Sequence, residues 1–257
     1  MSTVPVLIDF DGVIKLGEKP AIDAGKFLRY LCGNKIPAYI LSNSTLKTSK
    51  DINKFLSDEN INYGIPAMTA ADAVLNYVKQ HYQRISVYCI DSIKNNFQGL
   101  IDDENPQAVV IGDIGENWNF KMMNEIFRKV ISGADIIAMH KNRYWYPDGK
   151  NAVLDSGAFI KAIEYGSNKN SILIGKPSPV YFNTALGFLG YSSDDDFFMI
   201  GDDIENDVNA AQHLGGKGVL IYTGKTKFST TETFGKKPDL EIHSLSEMID
   251  VLERMKG

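Results

Sequence analysis

Residues 4–13 read Val-Pro-Val-Leu-Ile-Asp-Phe-Asp-Gly-Val, and this stretch decides how the fold is interpreted. Its apolar half does not alternate with polar residues, which is typical of a short strand buried on both faces. Two carboxylates, Asp9 and Asp11, follow at once, and Gly12 lets backbone amides approach a ligand closely. Ligands bind beyond the carboxyl ends of strands in an open α/β sheet, so we expect chemistry here. Taken alone, this string is more often a strand end with an Asp-Gly turn.

The rest of the chain alternates between strand and helix patterns in two series. The outer series has apolar, strand-like runs at residues 4–8, 36–41, 171–174, 197–200, 218–222 and 240–242. The inner series has such runs at residues 85–90, 108–111 and 136–139. Buried parallel strands joined by helices predict an α/β fold. We expect a parallel-sheet core domain of residues 1–76 and 171–257, with a smaller α/β domain of residues 77–170 inserted in it.

Composition and charge limit the classes of partner. The chain has 257 residues, of which 44% are hydrophobic and 23% charged, as in ordinary globular proteins. Its formal charge of −5 argues against nucleic acid or an anionic membrane surface as the main partner. The apolar runs are far shorter than the roughly 20 residues that cross a bilayer, and no basic segment of a secretory signal precedes Asp9. We therefore predict a cytoplasmic protein with neither a membrane nor a nucleic-acid partner.

Two expectations concern packing. Phe120, Met123, Phe127 and Val130 recur at helical spacing and predict an amphipathic helix with these side chains on its buried face. The two cysteines, Cys32 and Cys89, form no metal or redox motif. We expect both to be buried, reduced thiols.

Polar residues cluster where strands of the outer series are predicted to end. They are Asp9 with Asp11, Ser42 with Asn43, Lys176, and Asp202 with Asp203 and Asp207. Parallel strands bring their carboxyl ends to one edge of a sheet, so these side chains are expected to converge. Carboxylates are ligands that Mg²⁺ prefers, and an ammonium or hydroxyl group binds phosphate oxygens. An Asp carboxylate can also act as a nucleophile.

Four motifs in this cluster resemble those of the haloacid dehalogenase superfamily, and they occur in the family's order. They are Asp9-Phe10-Asp11-Gly12-Val13, Leu41-Ser42-Asn43-Ser44, Gly175-Lys176-Pro177 and Gly201-Asp202-Asp203-Ile204-Glu205-Asn206-Asp207. The insert lies between the second and third motifs, which resembles the C2a cap of subfamily IIA. That subfamily includes NagD-like proteins and the phospholysine phosphohistidine inorganic pyrophosphate phosphatases. The resemblance implies a Rossmann-like core with an inserted cap domain.

The resemblance also implies a Mg²⁺-dependent phosphatase that hydrolyses a small phosphorylated metabolite through an aspartyl-phosphate. Asp9 would be the nucleophile and Asp11 the general acid and base. The other implied roles are phosphate binding by Ser42, Asn43 and Lys176, with Lys176 also catalytic, and Mg²⁺ binding by Asp9, the main-chain carbonyl of Asp11, and Asp202. Asp203 or Asp207 would orient Lys176 or metal-bound water, while Asp207 has the alternative of simply beginning a helix.

The insert is placed to supply a lid that excludes water and selects the leaving group. The candidate contacts are His140, Arg143, Tyr144, Trp145, Tyr146, Asp148 and the run Asp155-Ser156-Gly157. Ordinary packing is the commoner role for each of them. The same domain is our candidate for the contact surface of a homo-oligomer.

Other functions remain open from the sequence. A phosphomutase or a dehalogenase could use the same scaffold, although a dehalogenase has no need of an acid at Asp11. A non-catalytic phosphate-binding regulatory module, like a receiver domain that accepts phosphate on Asp, is a third reading. Such a module needs no large insert.

Overall fold

The structure is a computed structural model that describes residues 4–145, 151–224 and 237–255. Its strands are β1 (Val6–Asp9), β2 (Lys15–Leu16), β3 (Lys19–Pro20), β4 (Ala38–Ser42), β5 (Ala67–Thr69), β6 (Ile85–Tyr88), β7 (Ala108–Ile111), β8 (Asp135–Ala138), β9 (Tyr144–Trp145), β10 (Val153–Leu154), β11 (Ile172–Leu173), β12 (Phe198–Gly201), β13 (Lys217–Ile221) and β14 (Leu240–Ile242). Its α-helices are α1 (Ala24–Gly33), α2 (Ser49–Asp58), α3 (Ala70–His81), α4 (Asp91–Lys94), α5 (Phe120–Ile131), α6 (Ser156–Ser167), α7 (Pro179–Phe188), α8 (Ala210–His213) and α9 (Leu245–Arg254). Short 3₁₀ segments lie at Asn95–Leu100 and Gly115–Asn117, and a π-helical segment lies at Ile204–Asn209.

The chain divides into two compact units. The first comprises residues up to 42, residues 49–68 and the residues from 176 onward, and the second comprises residues 43–48 and 69–175. The domain boundaries expected from the sequence remain a prediction. They were a core domain of residues 1–76 and 171–257 and an insert of residues 77–170. They differ from the observed division chiefly because residue 76 lies inside α3, whereas the division falls before that helix.

The first unit is built on a six-stranded sheet in the order β14-β13-β12-β1-β4-β5. β1 pairs in parallel with β4 on one side and with β12 on the other, and Val6, Leu7 and Ile8 are fully buried. The chain therefore runs outward from β1 in one direction and returns to its other side later, which makes β1 the point where the strand order reverses. Ligand sites of open α/β sheets lie at such a point. The predicted α/β fold with a parallel sheet is confirmed.

Helices of the first unit cover this sheet with apolar side chains. Phe27 and Leu28 of α1 and Met248 of α9 belong to one buried cluster with residues of β1, β4 and β12. Residues 15–16 and 19–20 pair as the hairpin of β2 and β3, and α1 begins after this hairpin, at Ala24. That hairpin was not predicted, since strands of two residues are too short to show an alternating pattern.

The second unit has a four-stranded parallel sheet in the order β11-β8-β7-β6. Here one expectation is wrong: the strand before Lys176 was assigned to the core sheet, but β11 pairs with β8. Ile172 lies opposite Ile137 and Leu173 opposite Ala138. The sequence of a short apolar strand does not indicate which sheet it joins, so the position of β11 in the chain order was misleading.

Two packing expectations are also corrected. Phe120 is 86% exposed, whereas Ile126 and Val130 of the same helix are buried. At 3.6 residues per turn, Phe120 lies about 120° around the helix from Ile126, outside its buried face. Cys32 is exposed near the end of α1, and Cys89 is buried as expected. None of the helices that the structure describes is long and apolar enough to span a membrane.

A buried carboxylate in the second unit gives a testable pH dependence. Glu164 accepts a 2.6 Å hydrogen bond from Lys141 and bonds from the backbone and hydroxyl of Ser171. Burial raises the pKa of Glu164, but these bonds, with that of Lys161, outweigh it and hold the pKa at about 2 instead of 4.5. A lowered carboxylate pKa stabilises the folded state above the unfolded pKa, and this contribution is lost as pH falls through the folded pKa.

We therefore expect Glu164→Gln to lower the free energy of unfolding by about 3 kcal/mol at pH 7. The gap between variant and wild type should close as pH falls from about 4.5 to 2, which denaturant unfolding at several pH values will measure. The exposed Glu104→Gln is the matched control and should show no gap. A gap that does not change with pH would contradict the assignment.

Candidate active site

Four of the predicted site residues come together at the carboxyl edge of the first unit's sheet. Asp9 ends β1, Ser42 ends β4 and Asp202 follows β12, while Lys176 enters from the segment before α7. All four side chains are buried. The parallel strands supply three of them because their carboxyl ends share one edge, as the sequence predicted.

Lys176 forms two buried ion pairs. Its Nζ lies 2.6 Å from Asp9 Oδ1 and 2.7 Å from Asp207 Oδ1. Burial lowers the pKa of Lys176, but the charges of Asp207 and Asp9 outweigh it and raise the pKa above its ordinary value. The ammonium group therefore stays charged in a place where an unpaired charge would be costly.

The negative charge of the nearby carboxylates nevertheless exceeds the positive charge of Lys176. Oxygen atoms of Asp9, Asp202 and Asp207 all lie within 4.8 Å of one another. Burial raises the pKa of Asp9, Lys176 opposes this shift, and the charges of Asp202 and Asp11 add to it, so that the pKa is about 7. Burial likewise raises the pKa of Asp207 to about 7, with Lys176 opposing and Asp9 adding to the shift. Buried carboxylate oxygens this close together fit a hard divalent cation, which would offset their repulsion.

Two glycines enclose the Asp202 carboxylate. A Cβ atom on Gly12 would lie 2.3 Å from Asp202 Oδ2, and one on Gly224 would lie 1.8 Å from the same oxygen. Gly12 also has a φ of +96°, which side chains rarely tolerate. Thr223 fixes this arrangement, since its hydroxyl donates a 2.6 Å hydrogen bond to the Gly12 carbonyl.

Thr223 and Gly224 are site residues that the sequence analysis missed. They follow the end of β13 closely, just as Asp11 and Gly12 follow the end of β1. A polar residue and a glycine after a buried strand are the signal that could have identified them.

Asp11 and Ser42 form a pair beside this cluster. The Ser42 hydroxyl donates a 2.9 Å hydrogen bond to Asp11 Oδ2. Asp11 is exposed, unlike Asp9, and its loop is held because the Gly12 amide donates to the Lys15 carbonyl. One acid therefore lies buried and paired with a cation, while the other faces solvent.

The structure distinguishes Asp203 from Asp207. Asp203 caps the segment Ile204–Asn209 and accepts hydrogen bonds from the amides of Glu205 and Asn206. Asp207 contacts Lys176 and also accepts a bond from the Asp203 amide. The segment is π-helical, and π-helical turns are frequent at functional sites.

The remaining predicted residues belong to the second unit. Asn43 lies there against Gly175, since a Cβ on that glycine would be 2.5 Å from Asn43 Oδ1. His140, Asp155 and Ser156 are buried together, with His140 Nε2 3.0 Å from Ser156 Oγ. The Asn142 amide donates to His140 Nδ1, so Nε2 carries the proton and the ring cannot serve as a base toward Ser156.

Among the other candidate lid residues, Gly157 is buried in α6 and Arg143 is exposed just before β9. Tyr144 and Trp145 are exposed on the hairpin of β9 and β10. Tyr146 and Asp148 lie outside the residues that the structure describes.

Comparisons with known proteins identify the family of this chain. The family model described as haloacid dehalogenase-like hydrolase matches residues 6–100, and a HAD-hydrolase-like model matches residues 173–248. The chain is 30% identical over 252 residues to haloacid dehalogenase-like hydrolase domain-containing protein 2 of Rattus norvegicus, covering 95% of this chain and 94% of the relative. It is 30% identical over 254 residues to the phospholysine phosphohistidine inorganic pyrophosphate phosphatase of Bos taurus, covering 96% and 93%.

Solved structures show the same fold. The p-nitrophenyl phosphatase from Archaeoglobus fulgidus superposes with a TM-score of 0.88 at 22% identity, covering 98% of this chain and 100% of that one. NagD from E. coli K-12 superposes with a TM-score of 0.82, also at 22% identity, covering 96% and 98%. From the identity to its relatives along nearly its whole length, the chain belongs to the haloacid dehalogenase superfamily of hydrolases, in subfamily IIA.

Proposed function

We propose that this protein is a Mg²⁺-dependent phosphatase that hydrolyses a small phosphorylated metabolite through an aspartyl-phosphate on Asp9. The observation that carries the proposal is the cluster of Asp9, Lys176, Asp202 and Asp207, with the Asp11–Ser42 pair near it in sequence and fold. The name of the Bos taurus relative, a phosphatase, supports the same reaction class.

The two acids divide the chemistry. Asp9 attacks phosphorus, so an O–P bond forms as the bond to the leaving oxygen breaks, and Asp11 gives its proton to that oxygen. Asp11, now ionised, then accepts a proton from the water that attacks the aspartyl-phosphate. Products are inorganic phosphate and the free alcohol, and Asp9 returns to its starting state. This division matches a buried Asp9 beside a cation and an exposed Asp11 that meets solvent.

Lys176 and Ser42 hold the transferring group. Lys176 favours the ionised, nucleophilic form of Asp9 and supplies a positive charge for phosphoryl oxygens. The Ser42 hydroxyl donates a hydrogen bond to Asp11 in the structure and would donate one to a phosphoryl oxygen of the substrate instead. Asn43, which follows Ser42 in the chain, is our further candidate for phosphate binding.

Asp9, Asp202 and the main-chain carbonyl of Asp11 are the residues we propose for Mg²⁺. When bound, the ion neutralises carboxylate and phosphoryl charge, so that an anionic nucleophile can approach an anionic substrate. Asp207 would keep its bond to Lys176 and hold that ammonium group in place.

Removal of divalent metal should abolish turnover of nitrophenyl phosphate, and added Mg²⁺ should restore it. Because the ion binds the folded state only, it should also raise the free energy of unfolding, by about 2.7 kcal/mol at 100 times its Kd. Scanning calorimetry with and without Mg²⁺, at matched ionic strength, measures this independently of activity.

Asp202→Asn should remove most of the Mg²⁺ stabilisation, while the exposed Asp195→Asn should keep it. Full turnover in excess chelator would contradict the role of the metal. A screen of phosphorylated metabolites, pyrophosphate and a phosphoamide would then identify the leaving group, with a haloacid included to test dehalogenation.

A further inference from the structure

The hydroxyl of Tyr181 lies among three backbone groups at the ends of two strands. It is 2.7 Å from the Ser42 carbonyl oxygen and 2.8 Å from the Met68 carbonyl oxygen, and it accepts a 3.2 Å bond from the Ser42 amide. The tyrosine is fully buried in the first unit, at the third position of α7. A phenol has one proton to donate, so the two carbonyl groups share it.

This hydroxyl lies beside the pairing of two strands. β4 and β5 are neighbours, and the Ile40 amide donates to the Pro66 carbonyl. A parallel ladder repeats every two residues, so the Ser42 amide and the Met68 carbonyl are its next pair of groups. Tyr181 contacts both of them. Its hydroxyl therefore links the residue that ends β4 to the neighbouring strand.

The position of Ser42 depends on these contacts. Ser42 is the residue whose hydroxyl contacts Asp11, and its amide and carbonyl groups are both held by Tyr181. Lys176 lies five residues before Tyr181 in the sequence. One segment of chain therefore carries both the ammonium group and the tyrosine that holds Ser42. Without the hydroxyl, the Ser42 amide and carbonyl would both lose their contact with α7, and the end of β4 could shift.

We infer that Tyr181 is a positioning residue, whose hydroxyl sets where the Ser42 hydroxyl meets Asp11 and the substrate. The inference rests on the proposed phosphatase function for its catalytic consequence. Nothing in the sequence pattern marks Tyr181, because an aromatic residue in the first turn of a buried helix is ordinary packing.

Tyr181→Phe keeps the ring and removes only the hydroxyl, so it tests this directly. We expect kcat/KM for nitrophenyl phosphate to fall about tenfold, since small misplacements of reacting groups have large effects on rate. Tyr63→Phe is the matched control. It removes a hydroxyl that contacts Arg29 in the same unit, and should leave kcat/KM unchanged.

The double variant separates positioning from a general loss of structure. If Tyr181 acts through Ser42, then adding Tyr181→Phe to Ser42→Ala should change kcat/KM by less than about twofold. A tenfold loss in both backgrounds would overturn the inference. Wild type and variants should all show the same circular dichroism spectrum.

A readout independent of activity is the amide resonance of Ser42 in a ¹H–¹⁵N spectrum. Loss of the phenol should shift this resonance in Tyr181→Phe and leave it unmoved in Tyr63→Phe. An unmoved Ser42 amide in Tyr181→Phe would overturn the inference even if the wild type is an active phosphatase. A wild type that hydrolyses no phosphorylated compound would instead refute the proposed function, and the Ser42 resonance would still report on the positioning.

Discussion

Asp9→Asn should reduce turnover of nitrophenyl phosphate by a factor of about 10⁴ or more while the protein keeps its fold. An amide cannot attack phosphorus to form the acyl phosphate, so the first step of the proposed reaction is lost. The fold should survive because burial already raises the pKa of Asp9 to about 7, and a neutral amide suits such a place. Lys176 keeps Asp207 as a partner.

Steady-state kinetics and circular dichroism measure the two halves of this expectation. The exposed Asp195→Asn carries the same substitution in the same unit and should leave turnover unchanged. Wild-type turnover in Asp9→Asn would exclude covalent catalysis by this residue. A variant that is inactive because it is unfolded would appear in the spectrum and be set aside in favour of Asp9→Glu, which keeps the charge but displaces the oxygen atoms.

Lys176→Met should affect both stability and activity. Removal of the ammonium group leaves Asp9 and Asp207 buried without their shared cation, and breaking a buried ion pair in this way costs about 3–5 kcal/mol. Turnover should fall by about 10³-fold because the phosphoryl group loses a charge-assisted contact. Unfolding by denaturant in the presence of chelator, and kinetics with Mg²⁺, measure these separately.

The loss of stability in Lys176→Met should also depend on pH. A raised carboxylate pKa adds stability at low pH, which is lost as pH rises through the folded value. Asp9 and Asp207 have pKa values of about 7 even beside Lys176, so the deficit of Lys176→Met should be largest above pH 7 and shrink below it. Adding Asp207→Asn should recover part of the stability but none of the activity. The exposed Lys54→Met, whose partner is Asp58, should change the stability little. A deficit that is the same at every pH would contradict the account.

The fold and the acidic cluster were open to prediction because they depend on patterns within short stretches. Runs without polar alternation identified β1, β4 and β12, and a parallel sheet then requires their carboxyl ends to share an edge. The start of α3 likewise depends on a short stretch of sequence. Thr69 caps it and forms a reciprocal capping box with Asp72, an interaction that spans three residues.

What could not be predicted depends on contacts between distant residues. β11 looks like a core strand, and only its pairing with β8 reveals which sheet it joins. The choice of Asp207 over Asp203 as the partner of Lys176 follows from a π-helical turn that no spacing rule indicates. Tyr181 reads as packing until its hydroxyl is seen beside Ser42 and Met68.

The pairing of β1 with β12 has a consequence for synthesis on the ribosome. β1 is translated first, but Val6 pairs with Phe198. One edge of β1 therefore stays unpaired until most of the polypeptide has been translated. An unpaired apolar edge is a template for aggregation, and chaperone protection during that interval would counter it. The second unit, whose sheet is complete by Leu173, can meanwhile acquire its structure. The cluster of Asp9, Lys176, Asp202 and Asp207 can therefore assemble only after Asp207 has been translated.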